Sequence, residues 1–176
     1  MKLVHYVLPF LLTVIMAAPL LAQQPPLSPP GEASVKFDDG KTVIIKYSRP
    51  SMRGRKIFGE LVPYGKEWRT GANSATSFTT DTAVDIGGTA IPAGSYTLYT
   101  IPGEKSWQLI INKQTGQWGT KYDEAQDLAR IPMKVTQRSS GLEIFTISFD
   151  KSGGSSATLK LEWENTLASV EVKEKM

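Results

Sequence analysis

From Ala33 onward the apolar residues of this chain recur at every second position. That period constrains the fold more than any other feature. Successive side chains of a β-strand point to opposite faces, so strict alternation marks a strand with one face buried and one wet. The C-terminal third shows it most cleanly. Phe145, Ile147 and Phe149 form one face; Ala157, Leu159, Leu161 and Trp163 form a second row, and Ala168, Val170 and Val172 a third. Glu143, Thr158, Lys160 and Glu162 are expected to face water on neighbouring strands. Upstream, Val43, Ile45 and Tyr47 alternate with Ile44 and Lys46, and Trp107, Leu109 and Ile111 share one face. Between these runs sit tight-turn signals: Asp39-Gly40, Gly87-Gly88 between Val84–Ile86 and Thr89–Ile91, and "IPAGSY" entering a strand from Ser95 to Ile101.

One segment looks helical instead. "TKYDEAQDLARIP", Thr120 to Pro132, spaces Tyr122, Ala125, Leu128 and Ala129 as on a helix and ends in a proline. The reading is all-β: a single antiparallel β-sandwich with one short helix around Asp123 to Arg130, no internal repeat and no second domain.

The first residues, "MKLVHYVLPFLLTVIMAAPLLA", run from one lysine through an apolar stretch to small residues, the layout of a secretory signal peptide. A retained membrane anchor is the rival reading. Pro19, Ala22 and the polar "QQPPLSPP" that follows favour removal, although Leu20 fits the cleavage pattern less well. No cysteine follows to carry a lipid. We therefore expect a signal peptide at 1–22, an extended linker at 23–32 and a β-sandwich domain at 33–176. The protein is expected to be exported, periplasmic or extracellular, with no transmembrane segment once the signal is gone.

Losing Lys2 with that segment lowers the formal charge of +3 by one. So small a balance makes no electrostatic case for nucleic acid or an anionic membrane. His5 is the only histidine, it lies in the signal segment, and cysteine is absent. The exported chain thus lacks the residues for Ser-His-Asp or Cys-His catalysis and for imidazole or thiolate metal sites. No cofactor, metal ligand or catalytic residue is assigned. Asp123, Glu124 and Asp127 more simply serve the expected helix than a calcium ion, since no ligand-spaced loop accompanies them.

Chemistry concentrates in "PYGKEWRTGANSAT", Pro63 to Thr76. Tyr64 and Trp68 are plates that could stack on a sugar ring; Arg69 offers a planar fork to an anion, and Asn73 both donates and accepts. These four form a candidate site for a small polar ligand, a glycan or an envelope protein. The architectural alternative has Trp68 plugging the end of the sandwich and Arg69 paired with an acid such as Asp85 or Glu67, or with backbone carbonyls, while Asn73 completes the network. "SMRGRK", Ser51 to Lys56, reads as a solvated cationic turn or, more sharply, an anion patch.

The run Ser48 to Lys113 resembles a secreted bacterial family catalogued as domain of unknown function 2911. The most specific pieces are "GRKIFGELVPYGKEWRTGAN" and "IPAGSYTLYTIP", followed by Trp107 and Trp118-Gly119. The resemblance implies an exported β-rich domain and brings no activity, cofactor or catalytic residue with it. "PAGSY" is also similar to the hairpins of transthyretin-like and carboxypeptidase-regulatory domains, a likeness of turn geometry. Three functional classes follow: an exported non-catalytic binding module, a purely structural envelope-associated domain, and a carboxylate-dependent hydrolase. The loop chemistry favours the first.

Overall fold

The computed structural model describes residues 27–175, so the expected signal segment and the linker residues 23–26 lie outside the described residues. The strands are β1 (Pro30–Lys36), β2 (Thr42–Ser48), β3 (Thr76–Thr80), β4 (Val84–Ile86), β5 (Thr89–Ile91), β6 (Gly94–Ile101), β7 (Ser106–Asn112), β8 (Asp127–Gly153) and β9 (Ser156–Glu174). They form one sheet in the order β1-β2-β3-β6-β7-β8-β9-β4-β5, every neighbouring pair antiparallel.

The turns sit where the sequence puts them. Gly40 adopts φ 95°, and the Asp39 carboxylate accepts from the Lys41 amide at 2.8 Å, closing the β1–β2 hairpin. Gly87 and Gly88, at φ 56° and 88°, supply the two left-handed residues that a two-residue hairpin needs between β4 and β5. The Asp85 carboxylate accepts from the Gly88 amide at 2.7 Å. In "PAGSY", the Tyr96 hydroxyl donates back to the Pro92 carbonyl at 3.0 Å and clasps the turn into β6.

The sheet becomes a sandwich through its two longest strands. The first part of β8 pairs with β7, and the rest of it pairs with β9. Their ladder shifts register between Gln137 and Leu142 and again before Thr146, with Glu164 opposite at φ 53°. Bulges of this kind bend and twist a strand. Here they bring the far half of β8 back over β1. Tyr47 of β2 reaches it directly: its hydroxyl accepts from the Ile147 amide at 2.8 Å, and its ring meets Phe145 edge-on at 5.6 Å. Val43, Ile45, Phe78, Leu98, Leu109 and Ile111 from one layer then face Phe145, Leu159, Leu161 and Trp163 from the other.

Two expectations change. The helix shrinks to one 3₁₀ turn, Glu124–Gln126, capped by Asp123, whose carboxylate accepts from the Ala125 amide at 3.0 Å. Leu128 to Arg130 belong to β8, where Ala129 faces Ile111 and Arg130 faces Ile110. A helix there would leave the edge of β7 that faces away from β6 without a partner strand. The ladder satisfies that edge, and the alternation Ala129, Ile131, Met133 buries the same face. At the other end, β1 starts at Pro30, so Pro30, Gly31 and Glu32 are paired to β2 rather than extended linker.

Candidate functional site

The 63–76 loop covers one end of the sandwich and is tied to it at Trp68. The Trp68 amide donates to the Thr100 carbonyl of β6 at 2.7 Å, and the Thr100 amide returns a bond to the Trp68 carbonyl at 3.0 Å. Between those bonds the indole turns inward. It is 9% exposed and stacks on Trp163 at 5.8 Å and 16°, with Phe58, Trp107 and Phe145 edge-on around it. Trp68 is therefore core, and only its edge reaches the clefts described below.

Beyond Trp68 the backbone is strained. Thr70 has φ 51° and Asn73 φ 60°. A β-branched residue in the left-handed region costs about 1–3 kcal/mol and persists only where its surroundings hold it. They do. Thr70 is fully buried, its hydroxyl lies 2.9 Å from that of Thr100, and its carbonyl accepts from the Thr76 hydroxyl at 2.8 Å. Gly71 passes so close to β2 that an added Cβ would lie 3.0 Å from the Ser48 carbonyl oxygen. A second segment, Gln117 to Gly119, closes the far side: the Gly119 amide donates to the Asn73 carbonyl at 3.0 Å and the Ala75 amide to the Gln117 carbonyl at 3.1 Å.

Arg69 does not do what the spacing suggested. Asp85 is engaged in the β4–β5 turn, and among the described residues no carboxylate or carbonyl accepts from the Arg69 guanidinium. Its Nε is buried without a partner. The stem lies on Gly119, where an added Cβ would come within 2.4 Å of Arg69 Cδ. The loop is anchored instead by Trp68 and the buried hydroxyls of Thr70, Thr76 and Thr100. Asn73 contributes its backbone carbonyl and leaves its side chain exposed. Tyr64, 40% exposed, packs over Gly59 and lines neither of the clefts that Arg69 lines.

Every other arginine is engaged. Arg49 donates to Thr146, Arg53 to the Leu27 carbonyl, Arg55 to the carbonyls of Ser51 and Met52 at 2.8 Å each, Arg130 to Asp127 and Glu124, and Arg138 to Glu162. Arg69 alone, of the six arginines in the chain, has no hydrogen-bond partner among the described residues.

Arg69 stands where two clefts meet. The smaller, about 230 Å³, is walled by Glu67, Tyr99, Gly119 and Tyr122; the larger, about 330 Å³, by Arg55, Ala72, Asn73 and Trp163. Leu61, Val62, Trp68 and Arg69 line both. A third depression continues the larger cleft through Ser28 and Pro50 to Arg53. The "SMRGRK" turn thus borders the same end of the molecule.

The smaller cleft rests on a polar network that no local pattern announced. The Tyr122 hydroxyl donates to Asp127 at 2.6 Å and accepts from Arg130 at 3.0 Å, while Asn112 donates to the other Asp127 oxygen at 2.9 Å. Burial, then the bond to Asp127, pushes the Tyr122 phenol well above its ordinary value. Burial likewise raises Tyr99, whose hydroxyl accepts from Gln117 at 3.2 Å. The bond to Asp127 is the leading reason that Arg130 holds its proton more firmly than a free guanidinium. Asp123, Glu124 and Asp127 are thereby accounted for as a cap and as partners of Arg130. These residues meet only because β7, β8 and the 117–122 segment converge, so their spacing carries no signal.

The class these observations define is an all-β sandwich whose end is closed by a strained, hydroxyl-anchored loop between two small clefts. The chain belongs to the family described as "Protein of unknown function (DUF2911)", which it matches over residues 28–172. Neither a curated protein sequence nor a solved structure matches it.

Proposed function

We propose that this is an exported, non-catalytic binding domain that holds a small polar ligand at Arg69. The observation that carries the reading is the unpaired guanidinium with its buried Nε. A buried donor without a partner costs about 1–3 kcal/mol, so it is retained where something else compensates it. A ligand acceptor is that compensation. The loop supports the reading as well, because Trp68 and the three threonines hold it without help from Arg69. Asn73 presents its side chain to the larger cleft beside Arg69.

The hydrolase reading is weaker. Glycoside hydrolysis needs two facing carboxylates, and among the described residues Glu67 is the single acid lining the two clefts. Burial, then the bond to Asp127, favours the protonated Tyr122 phenol, which disfavours it as a base. The structural reading keeps one supporting observation: the loop is tied to β6 and to the 117–119 segment through groups that need no ligand. A partner-protein form of binding would use Trp118, 54% exposed beside Gly119.

A thermal-shift screen of sugars, organic acids and divalent ions decides among these. A ligand of the folded state must raise its melting temperature, and Arg69→Ala must abolish the rise. N-terminal sequencing of the protein from the producing cell tests export, with a start at Gln23 expected and an intact Met1 in the membrane fraction excluding it.

A further inference from the structure

We infer that the ligand is a small organic acid, its carboxylate against Arg69 in the larger cleft and a compact apolar body on Trp68, Trp163 and Leu61. This rests on the binding reading above and adds the chemical class. Charge is the first argument. Arg55 and Arg69 both line this cleft, no aspartate or glutamate does, and the adjoining depression adds Arg53 without adding an acid. An anion entering there meets no like charge, whereas a cationic ligand meets two guanidinium groups and a divalent ion finds no hard anionic oxygen. Of the acids at this end, Glu67 lines only the smaller cleft, and Glu143 lines none of the three depressions and accepts from the Arg53 amide at 2.8 Å.

Preorganisation is the second argument. Arg55 is held through Nε and Nη2 by the Met52 and Ser51 carbonyls, which leaves Nη1 without a protein acceptor. Arg69 is held through its stem on Gly119 and keeps its whole donor set. With Nε buried, the guanidinium offers its Nη1 and Nη2 groups, which no protein acceptor among the described residues engages, and that end of the planar fork matches a carboxylate, which accepts two parallel bonds.

The walls supply the third. Apart from the arginines, the polar side chains of the larger cleft are those of Ser28 and Asn73, while Leu61, Val62, Trp68, Ala72 and Trp163 are apolar. A sugar carries hydroxyls around its ring, and two side chains cannot satisfy them once they leave water. Inorganic phosphate would satisfy the arginines but leave the indole edges and Leu61 uncovered. About 330 Å³ lies at the low end of small-molecule sites, so the apolar body is a short chain or single ring.

The test uses the protein as isolated from its producing cell. Calorimetry and melting temperature are measured at matched millimolar concentrations of phenylacetate, hexanoate, phenylacetamide, glucose and inorganic phosphate. The expected result is that the two acids bind and raise the melting temperature, with phenylacetamide at least about 10-fold weaker because one charged hydrogen-bond set is lost. Arg69→Gln should remove that preference while its ligand-free melting temperature stays at or above the parent value. Arg69→Lys should recover part of the affinity, since it restores charge without the fork. If phenylacetamide or glucose binds as well as the acids and Arg69→Gln loses that binding, the organic-acid inference falls and the Arg69 binding site stands. If phosphate matches phenylacetate, the apolar-body argument falls. If no probe shifts the melting temperature, or shifts persist unchanged in Arg69→Gln, both the inference and the binding reading fall.

Discussion

The β8–β9 hairpin and the 63–76 loop both cover the apolar interior, and they are held by opposite means. The hairpin is a ladder: Phe149 faces Leu159, Ile147 faces Leu161, and buried and wet positions alternate along both strands. Its charged side chains find each other across the same ladder, Arg138 with Glu162 and Lys160 with Asp150. The loop has no ladder and no period. One indole, three buried threonine hydroxyls and two non-glycine residues at positive φ hold it against β6. Where the hairpin neutralises its charges, the loop leaves one guanidinium unpaired. A regular element meets its own partners as a by-product of its geometry. An irregular one must be held by specific distant contacts, and the group those contacts leave over is the candidate for function.

The comparison breaks first at Trp68. Removing an indole from the middle of five aromatic rings should cost about 3–5 kcal/mol, read as a lower urea midpoint for Trp68→Ala. A loss below about 1 kcal/mol would mean that the loop is not part of the core. Thr70→Val comes next. It keeps the branched shape but deletes the hydroxyl facing Thr100, for an expected loss of about 1–3 kcal/mol. Adding Thr100→Val to it should cost less than the two single changes summed, because the pair shares one bond.

A smaller effect appears in alkali. The Tyr122 phenol is raised in the folded protein, chiefly by burial, so the native state keeps a proton that the unfolded chain releases. Stability from this group is complete below the ordinary tyrosine value of about 10 and falls as pH rises above it. Denaturation midpoints measured across that range should decline with pH, and Tyr122→Phe should flatten the decline. The smallest effect is the sharpest test of the contrast. Arg69→Ala should leave stability at or slightly above that of the parent, because it removes a buried donor that no protein group satisfies. A loss of several kcal/mol would restore Arg69 as the anchor of the loop and remove it as a ligand contact.

Spacing and residue inventory are properties of the chain before it folds, and whatever depends on them was legible there. Alternation at Val43, Ile45 and Tyr47 or at Ala157, Leu159 and Leu161 is a local property of a strand, so the all-β architecture and the buried faces were legible. So were the Gly40 and Gly87-Gly88 turns, because only a few residues tolerate those angles. The absence of cysteine, and of histidine beyond His5, is likewise read from the chain without any structure. Tertiary structure decided the rest, because it depends on which distant segments meet. Thr120 to Pro132 satisfies a helical spacing as well as a strand alternation, and the open edge of β7 settled it as strand from Asp127. Thr70 and Thr100 are thirty positions apart and share one hydroxyl contact, which no local pattern encodes. Arg69 was legible as a residue of interest from its neighbours, but whether it is paired is a statement about every acceptor around it. Only the packed sandwich, with Asp85 turned to Gly88 and Glu143 to Arg53, left that guanidinium free.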